Sequence, residues 1–296
     1  MKIVITGITG FIGKSLEKYL QDYEIIGVTR SLKNCKDGDN AKYIVSDYSI
    51  DDLKEIFRGA DAVVNLASQK VGGETQKGVQ GYFSSISLLE NIILAAKDCG
   101  ITNIVNVSSR CVYGTYTENG FKETDETHPI NLYGVMKIWG ETISEYYNRT
   151  EKMKIKNLRL SQVVGYPMKD KYMFSTFLEK AVNNEPLEIL GQGEGKRDYI
   201  YLKDVCRAIK CAVMNEERSG IYNIGSGVGV SNKEVAEKMI KIFGSKSQMN
   251  IKKDSPSDTS NIVLDVEKAK QELNFFCKYT MDTMLYDIKN MMEEGV

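Results

Sequence analysis

The chain has 296 residues, of which 39 are Lys or Arg and 40 are Asp or Glu, so its formal net charge is -1. This length can bury one large core or two modest ones. Because positive and negative charges balance, the composition excludes a general basic surface, and we expect neither nucleic acid nor a membrane as a partner.

The cysteines, the N-terminal segment and the single histidine indicate which compartment and which chemistry to expect. The six cysteines have no paired spacing, which favours free thiols in a reducing compartment and a cytoplasmic protein. The opening MKIVITGITGFIG is a short apolar run broken by three glycines, so we expect no signal peptide or spanning helix. The single histidine, His128, lies in loop-like sequence, which favours a surface role and leaves no histidine cluster for a metal.

The first half of the chain alternates short apolar segments with segments of helical periodicity. This alternation predicts βαβ units and therefore an α/β fold, with a doubly wound parallel sheet of the Rossmann type. The segments in chain order are KIVIT, FIGKSLEKYLQDY, EIIGVT, KYIVS, IDDLKEIFRG, ADAVVNLA, LLENIILAAKDCG and TNIVNVSS.

The second half begins with a predicted helix at 133–149 and one predicted strand, KIKNLRLSQVVG. After Pro167 the pattern changes to further helices, a glycine-rich turn and short strands, which indicates a smaller C-terminal substrate lobe. The predicted main lobe comprises 1–165 with a return near 200–225, and the smaller lobe comprises 166–199 and 226–296.

Three glycines follow the first predicted strand and open the first predicted helix. Gly7, Gly10 and Gly13, with Phe11 and Ile12 between them, allow a tight turn whose backbone N–H groups can approach a pyrophosphate. The alternative is a turn that serves only close packing. The position after an apolar strand favours a dinucleotide site in the main lobe.

Two later strand ends bear on which dinucleotide binds. Arg30 stands at the end of the second strand, where a guanidinium favours a 2′-phosphate and therefore NADP(H) over NAD(H). A solvated arginine is the alternative, which leaves NAD(H) open. Asp47 and Tyr48 follow the third strand, where the aspartate can accept a hydrogen bond from the adenine.

Tyr133 and Lys137 stand four residues apart on a predicted helix and so share one face. The charge of Lys137, together with that of an oxidised nicotinamide, is expected to lower the pKa of the Tyr133 phenol and make it a general acid/base. Ser109 ends the fifth strand, at the sheet edge where ligands bind, and can present its hydroxyl to a substrate alcohol or carbonyl.

Taken together, these motifs resemble the extended short-chain dehydrogenase/reductase family, in its nucleotide-sugar epimerase, dehydratase and reductase group. The resemblance implies that Leu66 and Ala67 lie beside the nicotinamide and that Arg197 grips a substrate diphosphate. The stretches that carry it, besides the glycine turn and Tyr133-x-x-x-Lys137, are Asn65-Leu66-Ala67, Ser109–Gly114, Arg197–Val205, Tyr222–Gly227 and Asp265–Ala269.

The residues after Ser109 narrow the reaction that the resemblance implies. Family dehydratases and decarboxylases carry acidic residues there, whereas this chain has Arg110 and Cys111, so both activities are disfavoured. Cys111 matches the acid/base cysteine of GDP-fucose synthases, with a buried structural thiol as the alternative. Gln162 stands where UDP-galactose 4-epimerases carry a substrate-binding asparagine.

The sequence therefore predicts hydride transfer at a ring carbon, carbon 4, of a nucleoside-diphosphate sugar, either as a 4-epimerase similar to the UDP-glucose enzymes or as a 4-keto reductase. A non-catalytic NADP(H)-sensing protein of the same fold is the alternative. The resemblance also suggests a homodimer, packed through the Tyr133 helix and the helix that ends near Ala96.

Overall fold

The computed structural model describes residues 1–33, 35, 41–68, 78–168 and 172–295. Its strands are β1 (Lys2–Thr6), β2 (Glu24–Thr29), β3 (Ala41–Val45), β4 (Ala62–Asn65), β5 (Asn103–Ser109), β6 (Lys154–Leu160), β7 (Gln162–Val164), β8 (Leu187–Leu190), β9 (Lys196–Tyr201), β10 (Gly220–Ile224), β11 (Gly229–Ser231), β12 (Met249–Lys252) and β13 (Asn261–Ile262). Its helices are α1 (Phe11–Tyr19), α2 (Ile50–Phe57), α3 (Gln80–Asp98), α4 (Leu132–Thr150), α5 (Met173–Val182), α6 (Leu202–Met214), α7 (Asn232–Phe243), α8 (Glu267–Leu273) and α9 (Met281–Glu293).

The main sheet has seven parallel strands in the order β10-β6-β5-β4-β1-β2-β3. Its inner strands are buried on both faces, which explains why they read as continuous apolar runs rather than alternating ones, whereas the edge strand β3 is partly exposed. One core packs α1, α6 and α8 against one face, and a second packs α2 and α3 against the other. The predicted doubly wound fold is confirmed.

The order of strands reverses at β1, since β2 lies on one side of it and β4 on the other. In open α/β sheets a crevice forms at such a point, outside the carboxyl ends of the strands. The glycine turn after β1 and the ends of β2, β4 and β5 meet at this crevice. The topology therefore places the predicted dinucleotide and catalytic residues along one edge.

The stretch KIKNLRLSQVVG is two strands rather than the single strand predicted. Ser161 donates its backbone N–H to Ile224 O at 2.9 Å and ends the pairing within the main sheet. Gln162 then aligns with Tyr199 in a second sheet, where β9 pairs with β7, β11 and β13. This change of sheet lies at the carboxyl end of β6 and brings Gln162 to the boundary of the two sheets.

A third core, built from α5, α7, α9 and the second sheet, fills the C-terminal part of the fold. α6 leads from the second sheet back to the main one, because Leu202 and Val205 belong to the main core. Ala269 and Leu273 of α8 also pack in the main core, although their segment falls within the predicted smaller lobe. In the described ranges, no helix combines the length and the apolarity that a membrane crossing requires.

Candidate active site

The turn after β1 is shaped by glycines that have no room for a side chain. Gly7 has a φ of 70°, and a Cβ added there would lie 2.8 Å from the backbone N of Ala67. A Cβ at Gly13 would lie 2.4 Å from Ile8 O. Gly10 is the N-cap of α1 and offers no side-chain cap, so the N–H groups of the first turn are left for a ligand. The turn fits a pyrophosphate.

A cavity of about 470 Å³ opens beside this turn. The Arg30 guanidinium carbon lies 5.7 Å from the ring centroid of Tyr48, whose hydroxyl donates to Val28 O at 3.2 Å. The cavity is lined by Gly7, Thr9, Thr29, Arg30, Tyr48, Ala67, Ser68, Ser84, Ser85 and Leu88. Its position and lining fit the adenosine half of a dinucleotide, with a guanidinium at its edge.

Other residues predicted for the cofactor lie near the cavity but not in its lining. The Asp47 carboxylate accepts the backbone N–H of Ser49 at 2.8 Å, which holds the pKa of Asp47 below its usual value. The structure does not bring that carboxylate into the cavity. Ile12 and Leu66 pack against the main core behind the turn, and Phe11 is partly exposed at the start of α1.

Tyr133, Lys137 and Ser109 come together, as their strand and helix positions predict. Asn131 caps α4 by accepting the Gly134 N–H at 2.9 Å, which places Tyr133 in the first turn. The Lys137 ammonium donates to Val107 O at 2.8 Å and lies 5.4 Å from the Tyr133 ring centroid. The Ser109 hydroxyl lies within reach of the Tyr133 phenol, so two hydroxyls and a cation converge on one spot.

Burial controls the titration of this group. It lowers the pKa of Lys137 to about 8, against an opposing effect of Glu141. It also raises the pKa of Tyr133 above its ordinary value, although the hydrogen bond with Ser109 acts in the other direction. The predicted lowering of the Tyr133 pKa is therefore not produced by the protein's own groups, because desolvation of the phenolate outweighs them.

Gly134 is a site residue that the sequence reasoning missed. A Cβ added there would lie 2.1 Å from the carbonyl oxygen of Cys111, in the 3-10 turn that follows β5. Helix α4 thus packs backbone to backbone on this turn, and that approach brings Tyr133 to Ser109. The signal in the sequence was the glycine directly after the tyrosine.

Glu141 is a second missed residue, one further turn along the face of Tyr133 and Lys137. Its carboxylate accepts Arg159 Nε at 3.0 Å and Arg159 Nη2 at 2.7 Å, and it also accepts the Ser108 hydroxyl. Glu141 and Arg159 are only 4% and 3% exposed. This buried ion pair fixes α4 to β5 and β6 behind the converging hydroxyls.

A row of polar side chains crosses the sheet beneath the site. Thr6 Oγ1 donates to Asn65 Oδ1 at 2.7 Å, Asn65 Nδ2 to Asn106 Oδ1 at 2.9 Å, and Asn106 Nδ2 to Asn157 Oδ1 at 2.7 Å. Asn65 also accepts the backbone N–H of Ala67 at 3.2 Å. The row thereby shapes the loop after β4 that lines the cavity.

The predicted substrate residues gather where the two sheets meet. Arg110 donates from Nη2 to Gln162 Oε1 at 3.0 Å. Arg197 donates from Nη2 to Asp258 Oδ2 at 2.9 Å and from Nη1 to Ser260 Oγ and Lys196 O.

Of the remaining candidates, Cys111 lies beside the converging side chains and His128 lies at the surface. Cys111 is half-buried in the turn after Ser109, whose hydroxyl accepts its N–H at 3.2 Å. His128 is exposed beside Glu126. Where the chain is described, no three His, Cys, Asp or Glu side chains group as metal ligands.

Comparisons with known proteins cover most of the chain. A family model described as the NAD dependent epimerase/dehydratase family matches residues 3–225. The structure of UDP-N-acetylglucosamine 4-epimerase from Bacillus cereus is 31% identical with a TM-score of 0.89, over 99% of this chain and 96% of that chain. A putative UDP-glucose 4-epimerase of Methanocaldococcus jannaschii is 30% identical over 90% of this chain and 91% of its own. The dTDP-4-dehydro-6-deoxyglucose reductase of Escherichia coli is 26% identical over 92% of both chains.

Proposed function

Because the chain belongs to the NAD dependent epimerase/dehydratase family, as its motifs predicted, we propose that it is a nucleotide-sugar 4-epimerase or 4-keto reductase. The observation that carries this proposal is the convergence of Ser109, Tyr133 and Lys137 beside the glycine turn. That arrangement suits removal of a proton from a secondary alcohol, or its return to a ketone, next to a nicotinamide.

Each side chain has a distinct part in the proposal. Tyr133 moves the proton of the substrate hydroxyl, Ser109 orients the substrate oxygen, and Lys137 binds the cofactor ribose. When bound, the nicotinamide would accept a hydride from carbon 4 of the substrate sugar or donate one to it. Arg197 keeps Nε–H and one Nη2 hydrogen without a partner among the described residues, which suits a bidentate contact with the substrate diphosphate.

The choice between epimerase and reductase rests on different observations. The 31% identity with the Bacillus cereus 4-epimerase favours epimerisation, in which the cofactor stays bound. Arg30 at the cavity edge favours exchangeable NADPH and therefore reduction, and Cys111, beside Ser109, would suit a reductase that also epimerises. Dehydration remains disfavoured, because Arg110 and Cys111 follow Ser109 where an acid is needed.

The test is a substrate panel assayed with the purified protein. UDP-glucose and UDP-N-acetylglucosamine are followed for 4-epimer formation, and 4-keto-6-deoxy nucleotide sugars are followed for NADPH oxidation. Turnover of either kind supports the proposal and identifies the reaction. Dinucleotide binding without turnover on any substrate would overturn it and favour a cofactor-sensing protein.

The preference for NADP(H) is tested at Arg30. We expect NADPH to bind more tightly than NADH, and Arg30→Ala to weaken NADPH binding about 10- to 100-fold, the effect of a lost charged hydrogen bond to phosphate. NADH affinity should hardly change, as measured by nicotinamide fluorescence. Lys33→Ala, an exposed neighbour, is the control. Equal losses for both cofactors would show that Arg30 does not read the 2′-phosphate.

We further propose a homodimer that buries an apolar face of α3 and α4. Phe83 and Trp139 stack on this face with centroids 6.2 Å apart, and they are 51% and 36% exposed. Tyr146, which lies on α4 with Trp139, is 53% exposed. Such a patch suits an interface between two copies.

Trp139→Glu should therefore convert a dimer to a monomer in size-exclusion chromatography with light scattering. Tyr286→Glu changes a more exposed aromatic residue, on α9, and should leave the dimer intact. A wild-type monomer at micromolar concentration would contradict this proposal.

A further inference from the structure

Three charged side chains are buried together behind the converging hydroxyls. Lys137, Glu141 and Arg159 are 7%, 4% and 3% exposed. Lys137 and Glu141 stand one helical turn apart on α4 and therefore share one face of the helix. Because a buried charge is costly without an opposite charge nearby, the arrangement of these three side chains decides which of them stay ionised.

Consecutive residues of β5 hold the two α4 side chains next to each other. The Lys137 ammonium donates to Val107 O at 2.8 Å. The Glu141 carboxylate accepts the hydroxyl of the next residue, Ser108, at 2.5 Å. Val107 O is a neutral partner for the ammonium, so the opposite charge that acts on Lys137 is the carboxylate of Glu141.

The other groups that face Lys137 carry no opposite charge. Tyr133, on the same helix, presents its ring to the ammonium. The Cys111 thiol, in the turn after β5, has a smaller effect on the pKa of Lys137 than Glu141 has. Arg159, on β6, bonds both carboxylate oxygens of Glu141 instead. The polar residues that line the small gap beside Lys137, on α3, β4 and β5 and in the loop after β4, are neutral: Asn65, Ser68, Ser85 and Asn106.

We propose that Glu141 is a positioning residue for the reaction, whose carboxylate keeps Lys137 a cation beside Tyr133 and the cofactor. This inference rests on the proposed function, in which Lys137 binds the cofactor ribose, and adds the group that maintains the charge of Lys137. Arg159 has a supporting part, because two guanidinium N–H bonds favour the charged form of the Glu141 carboxyl in the core.

The direction of the effect follows from the burial of Lys137. Burial lowers the pKa of Lys137 to about 8, and Glu141 opposes this lowering. Without the carboxylate, Lys137 would lose its proton at a lower pH. The ammonium would then be neutral under conditions in which the wild-type protein keeps it charged.

The experiment measures the affinity for the more tightly bound of NADPH and NADH between about pH 6 and 10, by nicotinamide fluorescence. In the wild type, affinity should fall about tenfold in a step centred at about pH 8, as a charged hydrogen bond to the ribose becomes a neutral one. Glu141→Gln keeps the size of the side chain and an acceptor for Ser108. It should move the step to lower pH by about 1 to 3 pH units, the usual effect of an opposite charge at close range.

Four companion variants assign the step. Lys137→Met should abolish it, and Glu141→Asp should return it towards the wild-type pH. Ser108→Ala removes a hydrogen bond to the carboxylate but no charge, so it should leave the step in place. Glu141→Gln combined with Arg159→Met removes both partners of the buried ion pair, and it should show the shift even where the single variant unfolds. Thermal unfolding identifies the folded variants.

Two results would overturn the proposal. One is a step that is missing in the wild type or that stays at the wild-type pH in the folded glutamine variants. The other is a loss of affinity by the same factor at every pH, which is what a purely structural role of Glu141 predicts. Because cofactor binding is measured, an absence of turnover on the substrate panel counts against the proposed function separately.

Discussion

Replacing Tyr133 by phenylalanine should lower kcat about 10²- to 10⁴-fold, the usual contribution of a general acid/base, with little change in cofactor affinity. The phenol is the group that can exchange a proton with the substrate alcohol, because it lies beside the Ser109 hydroxyl and Lys137 lies at its ring. The measurements are steady-state turnover on the substrate found in the panel and cofactor binding by fluorescence.

Tyr146→Phe provides the matched control, since it removes an exposed phenol from the same helix. It should retain wild-type turnover. If Tyr133→Phe kept more than about a tenth of the activity, the proton would have to move through another group, and the acid/base role would be wrong.

Replacing Glu141 by alanine should lower the free energy of unfolding by about 3 to 5 kcal/mol, the effect of removing one partner of a buried ion pair. Arg159 would stay in the core without its carboxylate, and Ser108 would lose its acceptor. Urea unfolding followed by circular dichroism measures the change.

The control for Glu141 is Glu145→Ala, one turn further along α4 on its exposed side. This variant should unfold within about 0.5 kcal/mol of wild type. A Glu141→Ala protein as stable as the Glu145 variant would show that the ion pair does not stabilise α4. The helix would then be held by its apolar contacts and by the packing of Gly134 on the backbone of Cys111.

The main sheet and the converging site could be predicted because their signals are local. Each strand of the sheet is a short apolar run, and Gly7, Ser109 and Tyr133 stand directly at strand ends or on the following helix. The rule that ligands bind at the carboxyl ends of parallel strands then brings them together. The identity of Arg30 at the end of β2 was also visible, although only the structure places it at the cavity edge.

The features that escaped prediction depend on partners distant in sequence. The break at Ser161 follows from its pairing with Ile224 of β10, a strand far along the chain. The Arg159–Glu141 pair becomes visible only when both side chains are known to be buried. The raised pKa of Tyr133 has the same origin, because desolvation is a property of the packed site rather than of the Tyr-x-x-x-Lys spacing.

The hydrogen-bonded row of side chains from Thr6 to Asn157 has a fixed order of donors and acceptors. Asn65 and Asn106 each accept on one side and donate on the other, so turning over either amide would disrupt hydrogen bonds on both sides. A slip of one residue between β4 and β5 would set an amide against a valine. Backbone hydrogen bonds and side-chain hydrogen bonds therefore both fix the register of these strands. They do so directly beneath the place where the chemistry is proposed to occur.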